Sequence, residues 1–320
     1  ERSQGTKVTP SSAPPKLAYI SPLPPEKSGI SDYSAELLPE LAKYYDIEVI
    51  VAQQEVSNPW IRKYLPIQSI EYFTKNANRY DRVLYHFGNS SFHQHMFDLL
   101  DRFPGVVVLH DFFLGNIYEY MEYTIPGIWS RELYNSHGYN VVWERFHTSN
   151  LKEVIFKYPC NFGIIQSALG IIVHSRYSAG LAWQWYGLGE DWSVIPHLRV
   201  LSNGSDRAAA RRRLGISDDS FLVCSFGISG PIKQNHRLLN AWLSSSLARD
   251  SICQLVFVGE NDGGDYGRNL IEAINKSGMR DRIRITGWAD ADTFRDYLQA
   301  ADIAVQLRTH SRGETSGTVL

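Results

Sequence analysis

The sequence predicts an α/β protein made of two doubly wound units in tandem, each with a parallel sheet covered by helices on both faces. Short β-rich apolar runs alternate with amphipathic segments of helix length from Leu17 onwards, which is the pattern of such a sheet. The alternation restarts after a turn-rich segment near residue 200. A chain of 320 residues is also too long for one small core and suits two domains.

The first predicted domain spans residues 17–198 and follows a flexible lead-in, residues 1–16, that is rich in Ser, Pro, Thr and Lys. Its strands are predicted at 16–20, 47–52, 82–87, 106–110 and 171–174, and its helices at 32–45, 91–103, 112–124, 161–169 and 176–185. Pro39 is expected to kink or interrupt the first helix, because it has no N–H to donate to residue 35. The stretch 124–160 has no regular pattern and fits either an inserted lid or a pair of helices.

The second predicted domain spans residues 199–320. Turn residues at 202–205 precede a short helix that begins at Asp206 and that Gly215 is expected to end. Further strands are predicted at 221–226, 254–258, 282–286 and 303–307, and helices at 234–248, 266–277 and 292–300. Residues 317–320 form an apolar run without a stop signal, so we expect this domain to be truncated and incomplete.

Charge and composition exclude several classes of function. The 32 basic and 34 acidic side chains leave a net charge of -2, so no overall field attracts nucleic acid. Apolar runs stay far below the roughly 20 residues that span a bilayer, so we expect no membrane span, and peripheral membrane contact stays open. Cys160, Cys224 and Cys253 stand in apolar runs without metal-ligand spacing. They predict reduced core cysteines and a cytoplasmic location.

Candidate functional residues of the first domain follow the carboxyl ends of its strands, where doubly wound domains bind ligands. A Pro-rich loop ends in Gly29 at a helix N-terminus, where free amides suit a phosphate or a sugar hydroxyl, and a plain connection is the alternative. His110 and Asp111 end the fourth strand, and His86 lies at the end of the third. Each histidine is either a donor to a ligand hydroxyl or a structural core residue.

The second domain offers a similar set. Gly227 and Gly230 follow its first strand and let the backbone approach a ligand, and Lys233 at the start of the next helix can neutralise a diphosphate. The polar loop 308–317, with Arg308 and Glu314, is unusual for a simple connection. The run Arg211-Arg212-Arg213 is instead expected to be a solvated helix face, since no aromatic residues are interleaved with it.

Signatures of metal and phosphate-loop chemistry are missing from the sequence. His93 and His95 are two residues apart on a predicted helix and do not share a face, which disfavours a zinc pair. There is also no dinucleotide fingerprint, Walker loop or nucleophile elbow. The sequence therefore predicts no metal site.

Taken together, these landmarks resemble the retaining glycosyltransferases of family 4, which have the GT-B fold of two facing Rossmann-like domains. The resemblance covers about residues 16–320 and depends on the order and spacing of several phrases rather than on one motif. These phrases are residues 28–31, 110–111, 173–178, 194–197, 226–233, 254–260, 282–288 and 300–305.

This resemblance implies transfer of a sugar, of the hexosyltransferase type, from a nucleotide-diphosphate sugar to a hydroxyl of a glycan or lipid-linked acceptor. Retention of configuration, no cofactor or obligatory metal, and a role in bacterial surface-polysaccharide synthesis are implied with it. The first domain would be the acceptor side and the second the nucleotide-sugar side. A sugar-nucleotide epimerase of the same fold and a non-catalytic nucleotide-sugar-binding module stay open, and a truncated second domain would give weak or no turnover.

The resemblance also assigns catalytic roles. His110 matches a histidine that approaches the donor sugar, and Glu314 matches the first of two paired glutamates, which contacts that sugar in relatives. The second glutamate would fall at position 322, beyond residue 320.

The remaining matches concern donor binding. Lys233 matches a lysine that neutralises the β-phosphate, and Ile228 stands where the family has an arginine, so one charge must come from elsewhere or be missing. The predicted donor-binding set is Gly29, Gly227, Gly230, Lys233, Arg308, Ser316 and Gly317.

Overall fold

The computed structural model describes residues 13–198 and 206–314. These residues form two compact units. The first contains residues 13–198 together with 312–314, and the second contains residues 206–311. Both are parallel α/β units, so the predicted fold class is confirmed.

The sheet of the first unit has seven strands among the described residues. They are β1 (Lys16–Ile20), β2 (Asp46–Val51), β3 (Ile67–Ser69), β4 (Arg82–Phe87), β5 (Val106–Leu109), β6 (Gly170–Val173) and β7 (Ser193–Val194). All pairings are parallel, and the order is β3-β2-β1-β4-β5-β6-β7. The strand order therefore reverses between β1 and β4, which is where doubly wound domains form a crevice at the carboxyl ends of their strands.

Ten helices of the first unit surround this sheet in the described residues. They are α1 (Gly29–Leu41), α2 (Pro59–Tyr64), α3 (Ile70–Asn76), α4 (His95–Arg102), α5 (Gly115–Glu122), α6 (Ile128–His137), α7 (Tyr139–His147), α8 (Leu151–Lys157), α9 (Phe162–Ser167) and α10 (Arg176–Tyr186). α1 begins earlier than predicted because the Ser28 hydroxyl accepts the Ile30 N–H at 3.2 Å and caps it. Pro39 lies in its last turn, and the helix ends two residues later.

The stretch 124–160 is helical and belongs to the core. α6 and α8 contribute Trp129, Leu133 and Val154 to the hydrophobic cluster under β4 and β5. The sequence of this stretch does not predict its helices, because Glu132 is buried while Trp143 is 54% exposed, the reverse of the usual burial of apolar residues on an amphipathic helix. The lid interpretation is therefore wrong.

The second unit has a smaller parallel sheet. Its described strands are β8 (Phe221–Phe226), β9 (Cys253–Val258), β10 (Ile283–Ile285) and β11 (Ile303–Ala304), in the order β10-β9-β8-β11. Its described helices are α11 (Arg207–Leu214), α12 (Asn235–Ser244), α13 (Asp265–Lys276) and α14 (Ala291–Ala300). The last strand is shorter than the predicted 303–307 because the Gln306 side chain takes the backbone partners: its amide accepts from Phe226 N at 3.2 Å and donates to Phe226 O at 3.1 Å.

The arginine run on α11 corrects one prediction. Arg211 is 2% exposed, so it is not part of a solvated face. Its guanidinium donates to the carbonyl oxygens of Ser217, Asp218, Ser220 and Ala300 and to Asp302 Oδ2. Arg212 and Arg213 are exposed, as expected. Arg211 thus connects α11 to the segments that precede β8 and β11. Gly215, with φ 67°, ends the helix as predicted.

Two further expectations concern cysteines and membranes. Cys160, Cys224 and Cys253 are all buried free thiols. Within residues 13–198 and 206–314, none of the helices combines the length and apolar character required to cross a bilayer.

Candidate functional site

Three buried histidines meet at the carboxyl edge of the first sheet. His86 lies near the end of β4, and His110 and His174 directly follow β5 and β6. Because these strands are neighbours, equivalent positions at their ends bring the three rings together, with exposures of 0, 3 and 8%. Tyr33 of α1 covers them, with its ring centroid 5.0 Å from that of His110 and 5.2 Å from that of His174.

The three rings form a continuous hydrogen-bonded chain, which we call the histidine chain. His86 Nδ1 lies 3.0 Å from His110 Nε2, His110 Nδ1 lies 3.2 Å from His174 Nε2, and His174 Nδ1 lies 2.9 Å from Ile195 O. Since a carbonyl oxygen can only accept, His174 Nδ1 must carry a proton. A neutral His174 then accepts from His110 at Nε2, and His110 in turn accepts from His86. The chain therefore consists of three Nδ1–H tautomers.

Burial favours this neutral state. It lowers the pKa of His86 and His110 well below the ordinary histidine value, with a further contribution from the neighbouring histidines, and it lowers the pKa of His174. His93 donates from Nδ1 to His86 O at 2.8 Å, and burial lowers its pKa to about 4. His86 Nε2, which carries no proton in this arrangement, is buried without a hydrogen-bond partner among the described residues.

While the three histidines are neutral, this geometry leaves the predicted residue His110 without a ring nitrogen for a ligand. Both of its ring nitrogens are bonded to other histidines, so neither is offered to a ligand. Over the described ranges, no group of three or more His, Cys, Asp or Glu side chains is arranged to hold a metal ion.

The loop after β1 borders the same edge. A buried polar chain runs from Tyr19 through Ser34 and Ser21 to Pro22 O, with oxygen separations of 2.9, 2.7 and 3.0 Å. Gly29 is the exposed first residue of α1. The loop is thus anchored at its base while Gly29 remains accessible.

Gly88, which directly follows β4, packs closely against Ile30 of α1 and against His93. A Cβ at this position would overlap Ile30 Cδ1 and would lie 2.9 Å from His93 Nε2. His93 cannot turn away without losing its bond to His86 O.

We therefore expect Gly88→Ala to destabilise the protein by about 1–3 kcal/mol through overpacking, measured by urea denaturation. Gly29→Ala is the matched control, because a Cβ there meets nothing within 4 Å and a helical alanine is no worse than glycine. Equal stability of Gly88→Ala and the parent would contradict the close packing of Gly88 against Ile30 and His93.

In the second unit, Lys233 is the central residue of the predicted set. It ends a 3₁₀ turn (Pro231–Lys233) after β8, and its Nζ donates to Phe226 O at 2.9 Å. Burial, followed by the charge of Arg308, lowers the pKa of Lys233 to about 8. Thr309 N donates to Ile232 O at 3.0 Å, which brings the loop after β11 against this turn.

The backbone amides of the glycines in this loop are bonded within the unit. Gly227 N donates to Val258 O at 2.8 Å, and Gly230 N donates to Asn235 Oδ1 at 3.0 Å, so these amides are satisfied within the unit. Ser229 is 2% exposed, and its hydroxyl has no hydrogen-bond partner in the described part of the chain. Ile228, where an arginine was expected, is 54% exposed and brings no charge.

Glu314 belongs to the first unit. Its Oε2 accepts from Arg312 N at 2.5 Å, Arg312 Nε donates to Phe156 O at 3.0 Å, and Gly313 O accepts from the Ser178 hydroxyl at 3.0 Å. His110, Gly29 and Glu314 thus lie in the first unit, and Gly227, Gly230, Lys233 and Arg308 in the second. Ser316 and Gly317 lie outside the described residues.

Sequence reasoning did not single out His174 or Tyr33 as site residues. A signal for His174 was present: His110 and His174 each directly follow a buried strand, and His86 lies at the end of another. No comparable signal marks Tyr33, because its position on α1 is that of an ordinary buried residue.

Solved structures share the fold. HepE (Alr3699) of Anabaena, in complex with UDP and glucose, is 17% identical over 93% of this chain and 75% of its own, with a TM-score of 0.62. WaaG, a glycosyltransferase involved in lipopolysaccharide biosynthesis, is 14% identical over 95% and 77%, with a TM-score of 0.60. The sucrose-phosphate synthase of Thermosynechococcus elongatus is 14% identical over 93% and 76%, with a TM-score of 0.54. A scan against protein-family models and a search of curated proteins give no match.

Proposed function

We propose that this protein is a glycosyltransferase that moves a sugar from a nucleotide-diphosphate donor to an acceptor hydroxyl with retention of configuration. Supporting this proposal is the fold, which it shares with HepE, solved with UDP-glucose, and with the glycosyltransferase WaaG. UDP is accordingly the first nucleotide to test. A glycan or lipid-linked acceptor, the absence of a metal requirement, a cytoplasmic location and a role in bacterial surface-polysaccharide synthesis belong to the same proposal.

The observation that carries the proposal is the juxtaposition of Lys233 and Arg308 at the carboxyl edge of the second sheet. The charge of Arg308 helps to lower the pKa of Lys233, which means that two like charges repel each other there. A diphosphate placed between them would remove this repulsion and gain charge-assisted hydrogen bonds. Arg308 would then supply the charge that Ile228 lacks, and the Ser229 hydroxyl is a further candidate donor.

Such a site can act on the reaction as well as on binding. Negative charge builds on the leaving nucleotide as the glycosidic bond stretches, so cations held against its phosphates stabilise the transition state more than the ground state. Each preorganised donor of this kind contributes about 3–4 kcal/mol in comparable sites. Glu314 is proposed to contact the donor sugar. His110 is proposed to act through the ordered histidine chain, because its own nitrogens are engaged.

Replacing Lys233 tests the donor site. Lys233→Ala is expected to weaken UDP binding about 10- to 100-fold, the loss of one hydrogen bond to a charged group, measured by titration calorimetry. Lys276→Ala is the control, since Lys276 is an exposed lysine of the same unit that pairs with Glu272. Unchanged affinity in Lys233→Ala would remove Lys233 from the donor site.

The reaction itself is tested with UDP-glucose in the presence and absence of acceptor glycans. We expect UDP release that depends on the acceptor. Conversion of the sugar without acceptor would identify an epimerase, and binding without either reaction would identify a non-catalytic module.

A further inference from the structure

Two adjoining cavities open at the carboxyl ends of β1 to β4 in the first unit. Their volumes are about 860 and 210 Å³, and they share Ala52, Gln53 and His95 in their walls. The larger one is within the range of about 300–1,000 Å³ that is usual for small-molecule sites. The pair is therefore large enough for a ligand of more than one ring.

The smaller cavity lies where the strand order reverses. Pro22 and Glu26 come from the loop after β1, and Ser91 and Phe92 come from the loop after β4. β1 and β4 are the two strands at which the order changes direction. Doubly wound domains bind ligands in this crevice for a geometric reason: the loops that follow such strands diverge to opposite faces of the sheet. Topology and the smaller cavity thus independently indicate the same place, and the larger cavity extends from it along the carboxyl ends of β2 and β3.

Hydrogen bonds within the protein order the loops that line the two cavities. The Gln53 side-chain amide accepts from Leu23 N at 2.9 Å and donates to Leu23 O and Glu55 O, both at 2.7 Å. Ser57 N donates to Pro24 O at 2.7 Å. These bonds tie the loop after β2 to the loop after β1, so little ordering of the loops is needed on binding.

The lining indicates the class of ligand. Val51, Val56 and Ile70 give the larger cavity an apolar wall, and Gln54 and Gln68 add amide groups. Apolar surface packs against the C–H faces of a sugar ring, and amides bond to its hydroxyl groups.

The charges at the cavities oppose an anionic ligand. Glu55 and Glu71 line the larger cavity with Arg62, and Glu26 lines the smaller one. Three carboxylates against one guanidinium repel a uronic acid or a phosphate.

We infer that the two cavities together form the acceptor site and that the acceptor end is a neutral oligosaccharide. This inference rests on the proposed glycosyltransferase function, because only a transferase needs a second sugar site. It adds the chemical class of the acceptor and places that site between the strand reversal and the carboxyl ends of β2 and β3 in the first unit.

The experiment blocks the site without removing a hydrogen bond. Ala52 is exposed and lines both cavities, so Ala52→Trp fills the passage between them. Ala291→Trp, an equally large change at an exposed alanine of α14, is the control for general effects of a surface tryptophan. Saturation-transfer NMR on the full chain, with maltotriose, cellotriose and trigalacturonic acid as probes, measures binding, and calorimetry measures UDP affinity in each variant.

We expect at least one neutral trisaccharide to bind more tightly than trigalacturonic acid. Its affinity should fall at least tenfold in Ala52→Trp and stay unchanged in Ala291→Trp, while UDP affinity is the same in all three proteins. Tighter binding of trigalacturonic acid, absence of neutral-sugar binding, or equal binding by Ala52→Trp overturns the inference. If UDP does not bind but the neutral sugar binds in an Ala52-dependent manner, the sugar site stands and the glycosyltransferase proposal fails.

Discussion

Lowering the pH from 7.5 to 5.5 is expected to destabilise the protein by at least about 4 kcal/mol, because His86, His110 and His93 stay neutral in the fold. His95 and His137, whose pKa values burial also lowers to about 4, act in the same direction. The folded-state pKa values of these histidines lie well below the unfolded value, so the unfolded chain binds more protons and stability falls as the pH drops below about 6.5. Each histidine that stays neutral in the fold accounts for about 1.4 kcal/mol at pH 5.5. For a unit of this size, the total corresponds to a decrease in Tm of roughly 10 °C.

The measurement is the free energy of unfolding from urea titrations between pH 5 and 8. His93→Leu removes one of these histidines, whose pKa is about 4, so the slope of the free energy of unfolding against pH should decrease by about 1.4 kcal/mol per pH unit, whatever the variant does to stability at pH 8. Tyr33→Phe is the control, since it keeps the ring that packs on His110 and His174 and removes no histidine. A free energy of unfolding that does not vary between pH 7.5 and 5.5 would show that the chain takes up protons in the folded state.

Much of the fold could be predicted because parallel strands are buried on both faces and therefore stand out as apolar runs. β1, β4 and β8 have the predicted bounds. β3 and β7 were missed because they have only three and two residues, too few for any pattern. β11 was predicted too long because Gln306 ends the pairing with its side chain, a tertiary contact that periodicity does not encode.

The sequence indicates where the candidate side chains lie in the fold, but it does not indicate which hydrogen bonds they make. His110 and Lys233 were predicted because ligand-binding side chains of doubly wound domains follow the carboxyl ends of strands, and the structure places them after β5 and β8. That His110 is bonded at both nitrogens depends on His86 and His174, which are 24 and 64 residues away in sequence. Likewise, Arg211 looked like part of a charged surface, and its burial is explained by the carbonyl groups that converge on it from other segments. Such partners are brought together only by the fold.

Lys233→Met is expected to stabilise the free protein and to weaken UDP binding, which are opposite effects of one change. At pH 7 the parent keeps a charged lysine in a buried place, where its pKa is lowered to about 8 from 10.5, and this costs about 3 kcal/mol at most. Methionine has a similar length and no charge. The carbonyl that loses its lysine partner, Phe226 O, still accepts from Gln306 Nε2 at 3.1 Å. The free energy of unfolding should therefore increase by about 1–3 kcal/mol at pH 7.

The pH dependence separates this explanation from a general packing effect. Between pH 8 and about 10.5 the unfolded parent binds more protons than the folded parent, so the parent gains stability as the pH rises and the advantage of Lys233→Met disappears. UDP would restore the charge on Lys233, so binding at pH 8 should take up about half a proton in the parent and none at this position in the variant. Proton uptake is read from calorimetry in buffers of different ionisation enthalpy. A destabilised Lys233→Met protein, or equal uptake in both proteins, would mean that Lys233 is a structural lysine whose charge UDP does not meet.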